Sequence, residues 1–197
     1  MKTDQPIRIF LALPLPKSIQ EAIHEESELL RSKLTFRKWV HPRDYHITVQ
    51  FLGEADPSLV HPLTNALSSA LQALHPFPLE IGHWGWFGRK QRPSILWKGV
   101  HDPEDVLPEL AAKVRNTTSQ FHFEDDGKPF KAHITVARQY TGELFPAHLF
   151  LDEESSLFGS DNKKPPLEWE AQSITLYESR LGQKPMYSPL QSIEWKS

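Results

Sequence analysis

Apolar positions fill the stretch Ile7-Arg8-Ile9-Phe10-Leu11-Ala12-Leu13 almost without a break and stop at Pro14 and Pro16, the pattern of a buried strand. From Ser18 the spacing changes to three and four, through Ile19, Ala22, Ile23, Leu29 and Leu30, and Ser18 with Glu21 has capping-box spacing, so a helix follows. Residues 36–51 are rich in β-branched and aromatic types. A turn at Pro42-Arg43-Asp44 divides them into two strands, the second running from Tyr45 through Leu52 to a stop at Gly53. Asp56-Pro57 opens a second helix, with an apolar stripe at Leu59, Val60, Leu63, Leu67, Ala70, Leu71 and Leu74. Strands are predicted over 77–87 and 94–100, joined by the basic turn Gly88-Arg89-Lys90-Gln91-Arg92. Asp102-Pro103 starts a third helix whose inner side is Val106, Leu107, Leu110 and Val114. The chain is strand-like from Phe121 and again over 132–140, loop-like over 149–166, and closes with strands near 168–181 and 190–195.

Helices separated by pairs of strands predict an α+β fold, antiparallel sheet with helices on one side, rather than a doubly wound parallel sheet. The strand and helix groups occur in two rough copies. At 197 residues the chain has the length of one domain or two closely joined lobes, so residues 1–197 are expected to fold together. It contains no cysteine, which excludes thiol nucleophiles, disulfides and Cys-ligated metals. A net charge of −3 excludes an all-over basic coat for duplex nucleic acid, so any nucleic-acid contact must be local. Apolar stretches are far shorter than the ~20 residues of a membrane span, and no basic-then-apolar leader precedes them. A soluble, cytoplasmic, monomeric protein is expected.

Both copies contain the same four residues, His46-Ile47-Thr48-Val49 and His133-Ile134-Thr135-Val136, 87 positions apart. On a strand the first and third side chains share one face while the second and fourth enter the core. With 10 His and 9 Thr in the chain, composition alone yields about 0.5 His-x-Thr triplets, and about 0.07 once both alternate positions must be apolar. A single copy is most simply a hydrogen-bonded strand histidine; two identical copies are not accounted for that way. Two facing imidazoles, one neutral and one protonated near neutral pH, supply a base and an acid, as in-line displacement at phosphorus requires. Neighbouring threonine hydroxyls can hydrogen-bond the non-bridging oxygens.

On these motifs the sequence resembles the two-histidine (2H) phosphoesterases, and among them the RNA 2′,3′-cyclic phosphodiesterases, also called 2′-5′ RNA ligase-like. The likeness runs through Arg8 to Leu13, Trp39-Val40, His46 to Gly53, Gly85-Trp86-Phe87, Ile95-Leu96-Trp97 and Phe130 to Arg138. It implies a bilobed fold of two antiparallel sheets with flanking helices, related by a pseudo-twofold around an active-site groove. It also implies hydrolysis of an RNA or nucleotide 2′,3′-cyclic phosphate to a 2′-phosphomonoester, without metal or other cofactor. His46 would then be the proton donor and His133 the proton acceptor, with Thr48, Thr135 and Arg138 holding the phosphate.

Other features carry two readings. Trp39 and Phe10 are candidates for stacking on a nucleobase, with core packing the plainer account. Arg89, Lys90 and Arg92 could follow an RNA backbone or be a solvated turn. The remaining histidines lack the spacing of a helical metal site, and the acidic stretches 124–126 and 152–154 read as solvated loops. A nucleotide or RNA-end binding module without turnover, and a related 2H activity on 2′-5′ or other cyclic phosphodiesters, are the alternatives.

Overall fold

The computed structural model describes residues 5–125, 127–151 and 167–196. Among these residues nine strands and four helices follow in the order β1 (Ile7–Pro14), α1 (Lys17–Arg31), β2 (Phe36–Trp39), β3 (His46–Ala55), α2 (Val60–Ala70), β4 (Phe77–Arg89), β5 (Arg92–His101), α3 (Val106–Ser119), β6 (His133–Tyr140), α4 (His148–Leu151), β7 (Glu168–Ala171), β8 (Ser173–Ser179) and β9 (Tyr187–Glu194). Single 3-10 turns at Pro42–Asp44 and Pro57–Leu59 precede β3 and α2. Among the described residues no helix is long and apolar enough to cross a membrane.

The strands form one antiparallel sheet in the order β7-β4-β5-β6-β3-β1-β8-β9, with β2 also paired to β6. The two expected sheets are its two halves, and β3 and β6 meet in a single partnered pair, Ile47 with Ile134. About that pair the halves correspond strand for strand: β3 to β6, β1 to β5, β8 to β4 and β9 to β7. The correspondence extends to single residues. In one half Leu11 pairs with Gln50 and Ala12 with Thr48, leaving Val49 unpaired. In the other Leu96 pairs with Ala137 and Trp97 with Thr135, leaving Val136 unpaired. A bulge thus sits at the fourth motif residue in both copies. Because a bulge inserts one residue, it reverses the alternation of faces beyond it. Phe51 and Arg138, each five residues after a motif histidine, therefore return to the histidine face.

The opposite face of the sheet is apolar. Ile9, Leu11, Leu13, Ile47 and Ile134 join Ile19 and Ile23 of α1, Leu63 and Leu67 of α2, and Leu107, Leu110 and Val114 of α3 in one core. A smaller cluster gathers Leu30, Leu34, Phe36, Leu96, Ala137, Tyr140 and Phe145. An ion pair ties α1 to the second half: Lys98 Nζ lies 2.6 Å from Glu26 Oε2, which also accepts from Trp84 Nε1 at 2.8 Å.

Several local expectations are corrected. No side chain caps α1, which starts at Lys17 after Pro16, so Ser18 and Glu21 form no capping box. The second strand passes Gly53, whose φ of +84° carries it through a further bulge to Ala55. Asp56 does cap, accepting from Ser58 N at 2.8 Å, but of a 3-10 turn that leads into α2. The third helix starts at Val106, with Asp102 Oδ2 reaching forward to the Leu107 amide at 2.7 Å. The stretch from Phe121 forms turns rather than a strand, with Phe123 anchored in the core. Residues 148–151 are helical. Most of the predicted loop (152–166), including the acidic stretch 152–154, and Asp126 lie outside the described residues.

Ile134 is fully buried where the halves meet. Ile134→Ala is expected to lower the free energy of unfolding by about 2–5 kcal/mol, read from urea denaturation, with the slope unchanged.

Candidate active site

Strand alternation places His46, Thr48, His133 and Thr135 on one face, because Ile47, Val49, Ile134 and Val136 are held in the core beneath. The Ile47–Ile134 pairing sets the spacing between them: continued by one residue each way, it puts His46 opposite Thr135 and Thr48 opposite His133. The sheet thus brings together the four residues that the sequence marks, and the bulge at Val136 adds Arg138.

Both imidazoles are held in the same way. His46 Nδ1 lies 2.6 Å from the Asp44 carbonyl oxygen, and His133 Nδ1 lies 2.7 Å from that of Lys131. A carbonyl only accepts, so each Nδ1 carries the hydrogen and each Nε2 is left for chemistry. His46 Nε2 is 3.0 Å from Thr48 Oγ1. Aromatic rings pack against both histidines. Phe10 lies at 4.9 Å and Tyr187 edge-on at 5.0 Å from His46, while Phe87 stands edge-on to His133 at 4.9 Å. Gly85 leaves the space occupied by the Trp97 ring, over which Lys131 Nζ sits at 4.4 Å.

Asp44 acts twice. Its carbonyl fixes His46, while its buried carboxylate accepts from the Met186 amide at 2.9 Å and the Tyr187 amide at 3.0 Å. The carboxylate thereby binds the turn before β9 to the motif strand and holds Tyr187 against the imidazole. Burial raises the pKa of the Tyr187 phenol, and the charge of Arg138 opposes that shift.

The electrostatics disfavour positive charge on either imidazole. Burial, with further contributions from Arg138 and His133, pushes His46 from its usual 6.5 down to about 4, although its bond to Asp44 opposes the shift. His133 is also lowered, by burial first and then by the charges of Lys131 and Arg138. Among the described residues no three His, Asp or Glu side chains are grouped so as to hold a metal ion.

A family model described as LigT like Phosphoesterase matches residues 13–97 and 100–187, one copy of the motif falling in each stretch. The chain belongs to this family. Among its relatives, an RNA 2′,3′-cyclic phosphodiesterase of Geobacillus stearothermophilus is 40% identical over 134 residues, 68% of this chain but only 42% of that protein. One of Bacillus subtilis (strain 168) is 31% identical over 183 residues, 92% of each chain. The crystal structure of TT0787 of Thermus thermophilus superposes with a TM-score of 0.72 at 25% identity, covering 95% of this chain and 97% of that one. E. coli LigT complexed with 3′-AMP superposes with a TM-score of 0.70 at 23% identity, covering 98% and 100%, a likeness of fold.

Within this LigT-like phosphoesterase one of the two aromatic candidates is closed to stacking and the other is partly open. Phe10 is 2% exposed and lies between His46, Tyr177 and Tyr187, where it supports the imidazole. Trp39 is half-buried, edge-on to Phe36, on the strand beside Arg138. Sequence reasoning does not reach Asp44, Lys131 or Tyr187. The first two carry a signal, since both stand two residues before a motif histidine; Tyr187 carries none.

NMR titration of the ring protons is expected to give a midpoint of about 4 for His46 and one below 6.5 for His133, both rising in Arg138→Ala. Unfolded imidazoles titrate near 6.5, so the unfolded chain binds more protons in between. These histidines therefore weaken the fold as pH falls from 6.5 towards 4, and that loss is absent above 6.5.

Proposed function

We propose that this phosphoesterase hydrolyses 2′,3′-cyclic phosphates on RNA ends or nucleotides to 2′-phosphomonoesters, acting as a monomer through one bilobed domain spanning 1–197 and without a metal. The observation that carries the reading is the pair of Nε2 atoms presented by two equivalent strands, each imidazole fixed through Nδ1 by a backbone carbonyl and each beside a threonine. The names of the relatives support the choice of ester.

In this mechanism water attacks phosphorus and gives its proton to His133 Nε2. The P–O3′ bond breaks as His46 Nε2 delivers a proton to the departing 3′ oxygen, so one proton enters the histidine pair and one leaves. Thr48, Thr135 and Arg138 hold the non-bridging oxygens, where charge accumulates. His46 must enter the reaction protonated, which its resting environment opposes. A bound phosphodiester anion offsets Arg138 and raises both imidazoles, so that substrate itself prepares the acid. The low resting value also makes protonated His46 the stronger acid of the pair.

With nucleoside 2′,3′-cyclic phosphates in excess EDTA, turnover is expected to persist and to yield the 2′-phosphate. His46→Ala and His133→Ala are each expected to lower kcat by about 10²–10⁴ or more, while circular dichroism stays that of a folded chain. Since kcat/KM reports the free enzyme and both histidines are depressed there, its bell should peak on the acid side of pH 6.5, with kcat peaking higher. Full activity in both alanine variants, or loss of activity with EDTA, contradicts the mechanism.

A further inference from the structure

A groove of about 1000 Å³ opens between α1, β2, the 3-10 turn before β3 and the turn before β9. Two of its lining residues, Asp44 and Met186, also form the support of His46 and Tyr187, so groove and catalytic face share a wall. Lys38 stands at the join. It is the strand partner of Arg138 on β6, and its Nζ reaches Met186 Sδ at 3.4 Å.

The charge in this groove is mostly positive and uncommitted. Lys17 and Arg31 on the α1 wall are each paired with a glutamate one turn away, at 3.3 Å. Arg37, Lys38, Arg43 and Lys184 are exposed, and none forms an ion pair among the described residues. Half-buried Trp39 and His41 lie between them, flat groups among cations. Cations spaced along a channel with interleaved rings match a single nucleic-acid strand, whose phosphates and bases alternate. In a protein with net charge −3, such a cluster is local by construction, and its place beside a phosphate-holding site gives the strand a direction.

We infer that this groove takes the single-stranded RNA leading up to the cyclic end, with Arg37, Arg43 and Lys184 along its phosphates, Lys38 at the join with the histidine face, and Trp39 and His41 against bases. The inference rests on the proposed activity and deepens it. The terminal cyclic phosphate occupies the histidine face, and the groove makes an RNA chain a better substrate than a mononucleotide. The rival path is the turn between β4 and β5, where Arg89 and Lys90 are exposed on the other half of the sheet.

The test is fluorescence anisotropy of a short labelled RNA ending in a 3′-phosphate, measured over a range of salt with wild type, Arg37→Ala/Arg43→Ala/Lys184→Ala, and Arg89→Ala/Lys90→Ala. The triple variant is expected to bind more weakly and to lose about two from the slope of log K against log salt, at ~0.7 per single-strand phosphate contact. Its turnover of nucleoside 2′,3′-cyclic phosphate and its melting temperature should match wild type, because its three side chains are exposed and do not touch the histidines. An unchanged slope and affinity in the triple variant, a loss confined to the Arg89/Lys90 variant, or no RNA binding by wild type each overturns the inference. Failure of the proposed activity is read separately, as absent turnover of the cyclic mononucleotide by wild type. The binding measurement does not depend on it.

Discussion

The pairing of Ile47 with Ile134 is the constraint on which the site depends. One partnered pair joins the two halves of the sheet, and it lies directly beneath the four polar residues of the motifs. Both isoleucines are fully buried under the helices, each contributing ~1.5–3 kcal/mol from removal of its side chain from water. Packing on the far face therefore fixes the distance between two imidazoles on the near face. No direct bond between the histidines is needed, and their Nε2 atoms remain available.

In the proposed function the site receives an anion. Arg138 acts on both imidazoles, Lys131 stands beside His133, and burial disfavours charge on either ring. Without an anion these groups are in conflict; with one they support each other. This is electrostatic preorganisation, in which the cost of orienting dipoles and charges is met during folding. Asp44 shows how tightly it is built, since a single residue orients an imidazole through its carbonyl and anchors the aromatic ring that covers it through its carboxylate.

Much of this was legible in the chain. The duplicated His-Ile-Thr-Val gave the shared face and the buried neighbours, and alternation alone placed Thr48 with His46 and Thr135 with His133. Arg138 could not be placed that way: strict alternation puts it on the core face, and only the bulge at Val136 turns it to the histidines. Bulges arise from pairing between strands distant in sequence, which local patterns do not record. The same limit explains Tyr187, brought to His46 by Asp44 from more than a hundred residues away. It explains Phe121 too, where local β-propensity yields to the core anchoring of Phe123. The Ser18 capping signal fails for a simpler reason: the helix begins two residues early, at Lys17 after Pro16, and Ser18 falls inside it.

Phe51 and Arg138 occupy equivalent positions in the two halves, each turned to the histidine face by the same bulge. A cleft with true twofold symmetry would accept a phosphodiester in two axis-related poses of equal energy, with the two imidazoles exchanging duties between them. An aromatic ring on one side and a guanidinium on the other lift that degeneracy. A duplicated scaffold supplies the pair of groups, and in the proposed reaction unlike residues at equivalent places, Phe51 against Arg138 and Asp44 against Lys131, give the pair a sense of direction.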